Sequence, residues 1–205
     1  MLDVIFNWFV NNYIEFLGTV FGLIYVVFSI KQNILLWPVG IITSALYIYV
    51  FFYSKFYADM SLQVYYLVIS FYGWYSWLHG KNKNTDTNQI QITNTTKKLS
   101  LLLIAITFVL FIFIAFILKN YTDSPLPYWD SFTTSASIVA TWMLTKKYIE
   151  QWIIWVIVDA VSLGLYIYKG LYSTCFLFLV YTILAIIGYF EWKKEMKKPE
   201  IALSE

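Results

Sequence analysis

Seven apolar runs follow one another along the 205-residue chain, with short polar turns between them. They cover 13–30, 34–53, 60–78, 99–118, 130–144, 151–168 and 171–192. Apolar runs of roughly 20 residues with few charges predict α-helices that cross a bilayer. Residues 1–12 interleave Asp3, Asn7, Asn11 and Asn12 with apolar positions, which predicts an interfacial lead. The stretch 79–98 is rich in Asn, Thr and Lys and predicts a solvated loop. Residues 193–205 form a basic tail. The opening MLDVIFNWFV has no basic n-region, so no cleaved signal is expected.

Composition fixes the class. The chain is 60% hydrophobic and 13% charged, where a soluble domain has about 25% charged residues. An all-α integral membrane protein is the reading, with the lipid bilayer as its surroundings. A net charge of +2 gives no ground for nucleic-acid binding. Cys175 is the sole cysteine, so no internal disulfide is possible. There is no arginine, and the 14 lysines divide unevenly. With seven spans, Lys55, Lys119 and Lys169 share one side and the other eleven lysines share the opposite side. The positive-inside rule then puts the N-terminus outside and the C-terminus inside.

The sixth run, QWIIWVIVDAVSLGLYIY, is the candidate site. On a helix Trp152, Trp155 and Asp159 fall on one stripe. An acid at that depth costs roughly 2.5–3.5 kcal/mol on insertion scales, so it should face a cavity or a partner. Indole faces attract cations and a carboxylate adds charge, which suits a flat, positively charged organic molecule. The plainer alternatives are interfacial indoles and an interhelical hydrogen bond from Asp159. Gln63 is the polar group of the third run, and by itself a helix–helix hydrogen bond is its favoured role. In the fifth run Asp130, Thr134, Ser137 and Thr141 make a polar stripe, suited equally to interhelical bonding or to a wet path. Trp37 and Trp142 complete the candidate contacts. No spacing suggests a metal site, a nucleophile with its base or a phosphate-binding loop, so neither an enzyme nor a cofactor is expected.

The chain repeats itself. Trp37 precedes LYIY at 46–49, and Trp155 precedes LYIY at 165–168. Tyr57, Gly73 and Trp77 have the spacing of Tyr172, Gly188 and Trp192. Runs 1–3 therefore match runs 5–7. The odd run 99–118 between them makes this a parallel repeat, three plus one plus three. The expected organisation is a first bundle over 13–78, the cytoplasmic loop 79–98, the linker helix 99–118 and a second bundle over 130–192. Pairing Trp37 with Trp155 sets Ile41 against Asp159, so the site residues are not duplicated.

The segments LWPVGI (36–41), FYADMSLQVYYLVISFYGWYSW (56–77), PYWDS (127–131) and QWIIWVIVDAVSLGLYIYKGLY (151–172) resemble the PnuC family of vitamin transporters. Trp152, Trp155 and Asp159 are similar to its signature, WxxW followed by Asp or Asn. The likeness runs from about Gly18 to Trp192. It implies a homotrimer in the bacterial inner membrane, taking up nicotinamide riboside by facilitated diffusion. A cytoplasmic vitamin kinase would then trap the substrate by phosphorylation. The resemblance also implies that Trp152, Trp155, Asp159 and Gln63 contact the substrate. Related branches take thiamine or riboflavin. Asp159 stands where the riboside branch carries Asn, which makes thiamine the alternative.

Overall fold

Polar turns of a few residues leave consecutive apolar helices no choice but to pack as hairpins. The computed structural model describes residues 17–53, 57–80, 90–168, 170 and 172–197, apart from the side chains of 57–59 and 173. Seven helices stand among them. They are α1 (Leu17–Ile30), α2 (Leu36–Tyr53), α3 (Tyr57–His79), α4 (Lys97–Tyr121), α5 (Pro127–Thr145), α6 (Gln151–Tyr168) and α7 (Tyr172–Met196). The lead at 1–12 and the end of the tail lie outside the described residues. By length and hydropathy α2, α4, α6 and the Thr174–Met196 part of α7 are each able to cross a membrane.

The chain divides into two units, the first holding α1–α3 and the second α4–α7. In the first unit α2 packs on α3. In the second, α5 packs between α4 and α6, and α6 packs on α7. Helix α5 carries seven Ser and Thr residues yet is largely buried. It manages this because Ser131, Ser135, Thr141 and Thr145 donate to carbonyls of their own helix three or four residues back. Helix α4 is the reverse. Leu101, Leu102, Ile104, Phe108, Val109 and Phe113 are exposed, an apolar face suited to acyl chains.

The same turn is built twice. Two residues past the end of α1 stands Gln32, with φ 52°, and two past the end of α5 stands Lys147, with φ 53°. Gln32 N–H donates to Ser29 and Asn33 N–H to Phe28; Lys147 N–H donates to Leu144 and Tyr148 N–H to Met143. Each is a paired closure of a helix C-terminus around a left-handed residue. Every residue of the second turn lies 115 positions after its counterpart.

The helix contacts repeat with the same offset. The Trp37 indole lies over Gly73 and meets Trp77 edge-on, with ring centroids 5.4 Å apart and planes at 90°. The Trp152 indole lies over Gly188 and meets Trp192 edge-on at 5.6 Å and 89°. Trp37 therefore corresponds to Trp152, and the sequence pairing of Trp37 with Trp155 is corrected. The reason is helical. The LYIY motifs lie about one turn apart relative to the two C-caps, so they share a face without sharing a position. In the true register Gly40 matches Trp155, Ser44 matches Asp159 and Leu36 matches Gln151.

Of the loop assigned to 79–98, residues 81–89 lie outside the described residues, and the last part is bound to the protein. Thr93 pairs with Tyr148 in a short parallel bridge, exchanging hydrogen bonds with Lys147 and Ile149. Thr95 N–H donates to Glu150 Oε1 at 2.9 Å. Thr96 caps α4, its side chain accepting from Leu99 N–H. The strap 93–96 thus ties the start of α4 to the turn that launches α6.

Lys147 in that turn is largely buried, and burial lowers its pKa from 10.5 to about 8. The unfolded chain binds this proton up to the higher value, so between the two pKa values it holds more protons than the folded chain. Stability is expected to rise between pH 8 and pH 10.5 and to carry the full penalty below pH 8. Lys147→Met should flatten that rise, as read from melting temperatures across the same pH range.

Candidate functional site

Helix α6 carries Gln151, Trp152, Trp155, Asp159 and Ser162 within a sector of about 100°. Trp152 belongs to the face against α7. It is 2% exposed, and its ring lies against Gly188 and meets Trp192, while its Nε1–H has no hydrogen-bond partner among the described residues. Trp37 occupies the matching position in the first unit and is 0% exposed. Both pack within their own helix pairs, Trp37 over Gly73 and Trp152 over Gly188. WxxW thus sets a packed indole one turn from the half-buried Trp155.

Gln151, Trp155, Asp159 and Ser162 lie beside Trp152, Asp159 about 20° round the helix from it and Gln151 about 100°. The four-residue steps from Gln151 to Trp155 to Asp159 turn the helix only about 40° each, so these three side chains form one line. Trp155 is half-buried. Its counterpart Gly40 shows how differently the first unit is filled. A Cβ on Gly40 would come within 2.9 Å of the Tyr25 ring and 3.0 Å of Ser70 Oγ. At the matching positions the second unit has the buried, small Ala140 and Ala185. Bulk has moved from the tyrosine of α1 to the indole of α6.

Asp159 is 6% exposed. It makes no hydrogen bond or ion pair among the described residues. A carboxylate enclosed without a partner is costly, and a cation or hydrogen-bond donor is what its surroundings lack. Ser44 holds the same position in the first unit, so the scaffold does not need the charge.

On α5 the hydroxyls separate cleanly. Ser131, Ser135, Thr141 and Thr145 are satisfied by their own helix, as is Thr133. Thr134 and Ser137 make no such bond, which leaves these two candidates able to meet a ligand. The rest of the predicted stripe does other work. Asp130 accepts from Ser124 Oγ at 2.6 Å in the loop before α5, and Thr141 is bonded back to Ser137 O. Trp142 is also set apart. It packs with Tyr148 and Ile154 against Leu103, Val139 and Met143, a cluster shared by α4, α5 and α6. Its ring packs on the α4 side of α5. Gln63 is half-buried on α3 of the first unit.

Gln151 was missed. It is 0% exposed, and neither its Oε1 nor its Nε2 has a hydrogen-bond partner. The available signal was its counterpart: Leu36 is equally buried and apolar.

With this geometry in place, the chain can be set beside known proteins. The family model for nicotinamide mononucleotide transporters matches residues 12–194. The nicotinamide riboside transporter PnuC of Escherichia coli K12 is 26% identical, with 88% of this chain and 85% of that one aligned. PnuC of Neisseria mucosa is 27% identical over 95% of this chain and 77% of its own length. The riboflavin/roseoflavin transporter RibM of Streptomyces davaonensis is 25% identical over 87% of this chain and 83% of its own. A crystal structure of the vitamin B3 transporter PnuC superposes with a TM-score of 0.74 at 26% identity, covering 95% of this chain and 86% of that one. These are transporters rather than enzymes, and the chain belongs with them to the nicotinamide mononucleotide transporter (PnuC) family of membrane proteins.

Proposed function

We propose that this protein carries a flat, cationic vitamin precursor across the bacterial inner membrane, with nicotinamide riboside as the substrate. One observation supports this above the rest: Asp159 is enclosed within a membrane-crossing helix and has no partner among the described residues. A fixed positive charge on an aromatic ring supplies what the carboxylate lacks. Trp155, one helical turn away, offers that ring an indole face. Thr134 and Ser137 offer hydroxyls to a ribose. Trp152 packs α6 against α7. Gln63 enters the set through the family resemblance alone.

The mode of transport is facilitated diffusion, with a cytoplasmic kinase trapping the product. A phosphorylated product carries negative charge, which Asp159 repels. The lysine distribution supports an outside N-terminus and an inside C-terminus. The duplicated turns and Trp–Gly–Trp contacts support two parallel three-helix repeats, and a homotrimer follows from the resemblance.

Titration of purified protein with nicotinamide riboside, thiamine and riboflavin tests the substrate. Nicotinamide riboside is expected to bind tightest, and tighter binding of either other vitamin overturns that choice. In proteoliposomes without an ion gradient, uptake should stop when the inside and outside concentrations are equal. Accumulation beyond that point would exclude facilitated diffusion.

A further inference from the structure

A buried side-chain amide that hydrogen-bonds nothing demands an explanation, because its two donors and its acceptor have lost water and gained no replacement. Gln151 is in that condition, at 0% exposure. Packing does not require it, since Leu36 fills the corresponding place in the first unit at 0% exposure. Its own backbone does not engage it either: the Gln151 N–H donates to Tyr148 O, and the side chain takes no part. Bulk water does not reach the amide, so whatever meets it must be enclosed with it.

Gln151 opens the line that continues through Trp155 and Asp159. Successive members are separated by about 6 Å along the helix axis, four residues at 1.5 Å each. An amide thus stands on one side of the indole and a carboxylate on the other. This order complements a planar ring with a hydrogen-bonding end and a cationic end.

Resting on the function proposed above, we propose that Gln151 is a specificity-determining residue that hydrogen-bonds the carboxamide of an amide-bearing pyridinium ring. A primary amide pairs with a primary amide through one N–H···O bond in each direction. Trp155 takes the ring face, and Asp159 takes the charge. A ring without the carboxamide leaves Gln151 as unsatisfied as before, and selectivity arises from that difference.

The test compares nicotinamide riboside with N-ribosylpyridinium, the same cation without the carboxamide, by calorimetric titration of the purified full-length protein. The wild type should prefer the amide-bearing ligand by about 30-fold or more, since a site built around a hydrogen bond discriminates strongly against its loss. Gln151→Leu copies the first unit and should reduce that preference to about 3-fold or less, through weaker binding of nicotinamide riboside alone. Gln151→Met, of similar length and without the amide, should behave as Gln151→Leu and serves if the leucine variant misfolds. A purely structural glutamine would leave the preference intact in both variants, and that result overturns the proposal. Asp159→Asn should weaken both ligands together and keep the preference. If the wild type binds both pyridinium compounds equally, the assignment of Gln151 fails while the cationic site stands. If it binds neither, the function proposed above fails and this inference with it.

Discussion

Asp159→Ser is expected to weaken binding of nicotinamide riboside by about 30-fold or more while leaving the fold intact. The magnitude follows from removing one partner of an enclosed charge pair, which costs about 2–5 kcal/mol. Each 1.4 kcal/mol is about tenfold in affinity. Serine is chosen because the first unit carries Ser44 at this position, buried in a helix of the same register. The substitution therefore creates no new packing problem. It also removes an enclosed carboxylate that has no partner among the described residues, so the melting temperature should hold or rise. A neutral ligand sharpens the test. The dihydronicotinamide form of the riboside keeps the sugar and the carboxamide but loses the ring charge, and it should bind wild type and variant alike. Equal loss for both forms would mean that Asp159 shapes the site without reading charge. No loss for either would remove Asp159 from the mechanism.

Gly188→Ala and Gly73→Ala should each lower stability by about 1–3 kcal/mol, the usual cost of forcing a methyl into a filled interior. A Cβ at Gly188 would lie 2.7 Å from three carbons of the Trp152 indole, and one at Gly73 would press the Trp37 indole harder still. Neither ring has room to retreat, because its edge-on partner holds it from another side. Combining Gly188→Ala with Trp152→Phe should recover part of the loss, and that coupling locates the cost in the contact itself. Gly164→Ala is the control. Nothing lies within 4 Å of a Cβ there, and in mid-helix alanine should gain about 0.5–1 kcal/mol. Melting followed in detergent distinguishes the three glycines, and equal effects at all of them would refute the packing account.

Helix number and type were readable from the sequence because a bilayer imposes length and hydropathy on each element. The ends were less readable. Helix α3 begins at Tyr57 and α7 extends to Met196, past the apolar runs, because hydrogen bonds continue where hydropathy stops. The ordered strap at 93–96 was hidden, since its contacts are backbone bonds to residues more than fifty positions away. At the site, the acid and the half-buried indole were legible as an anomaly in an apolar run. What pattern could not separate was Trp152 from Trp155. Both are tryptophans on one helix, and only the glycine of another helix marks the first as a packing residue. Gln151 was overlooked because a glutamine at the start of a span looks like an interfacial residue. Its burial depends on how α6 sits among its neighbours.

The interlocking of Trp152 with Gly188 bears on how such a carrier changes its diet over evolutionary time. The lock fixes the rotation and height of α6, and the residues proposed to read the ligand lie on that same helix. Sliding or turning the helix to suit a new substrate would break the lock. New selectivity must instead come one side chain at a time, at positions whose twins in the first unit are leucine, glycine and serine, while that unit keeps the architecture standing.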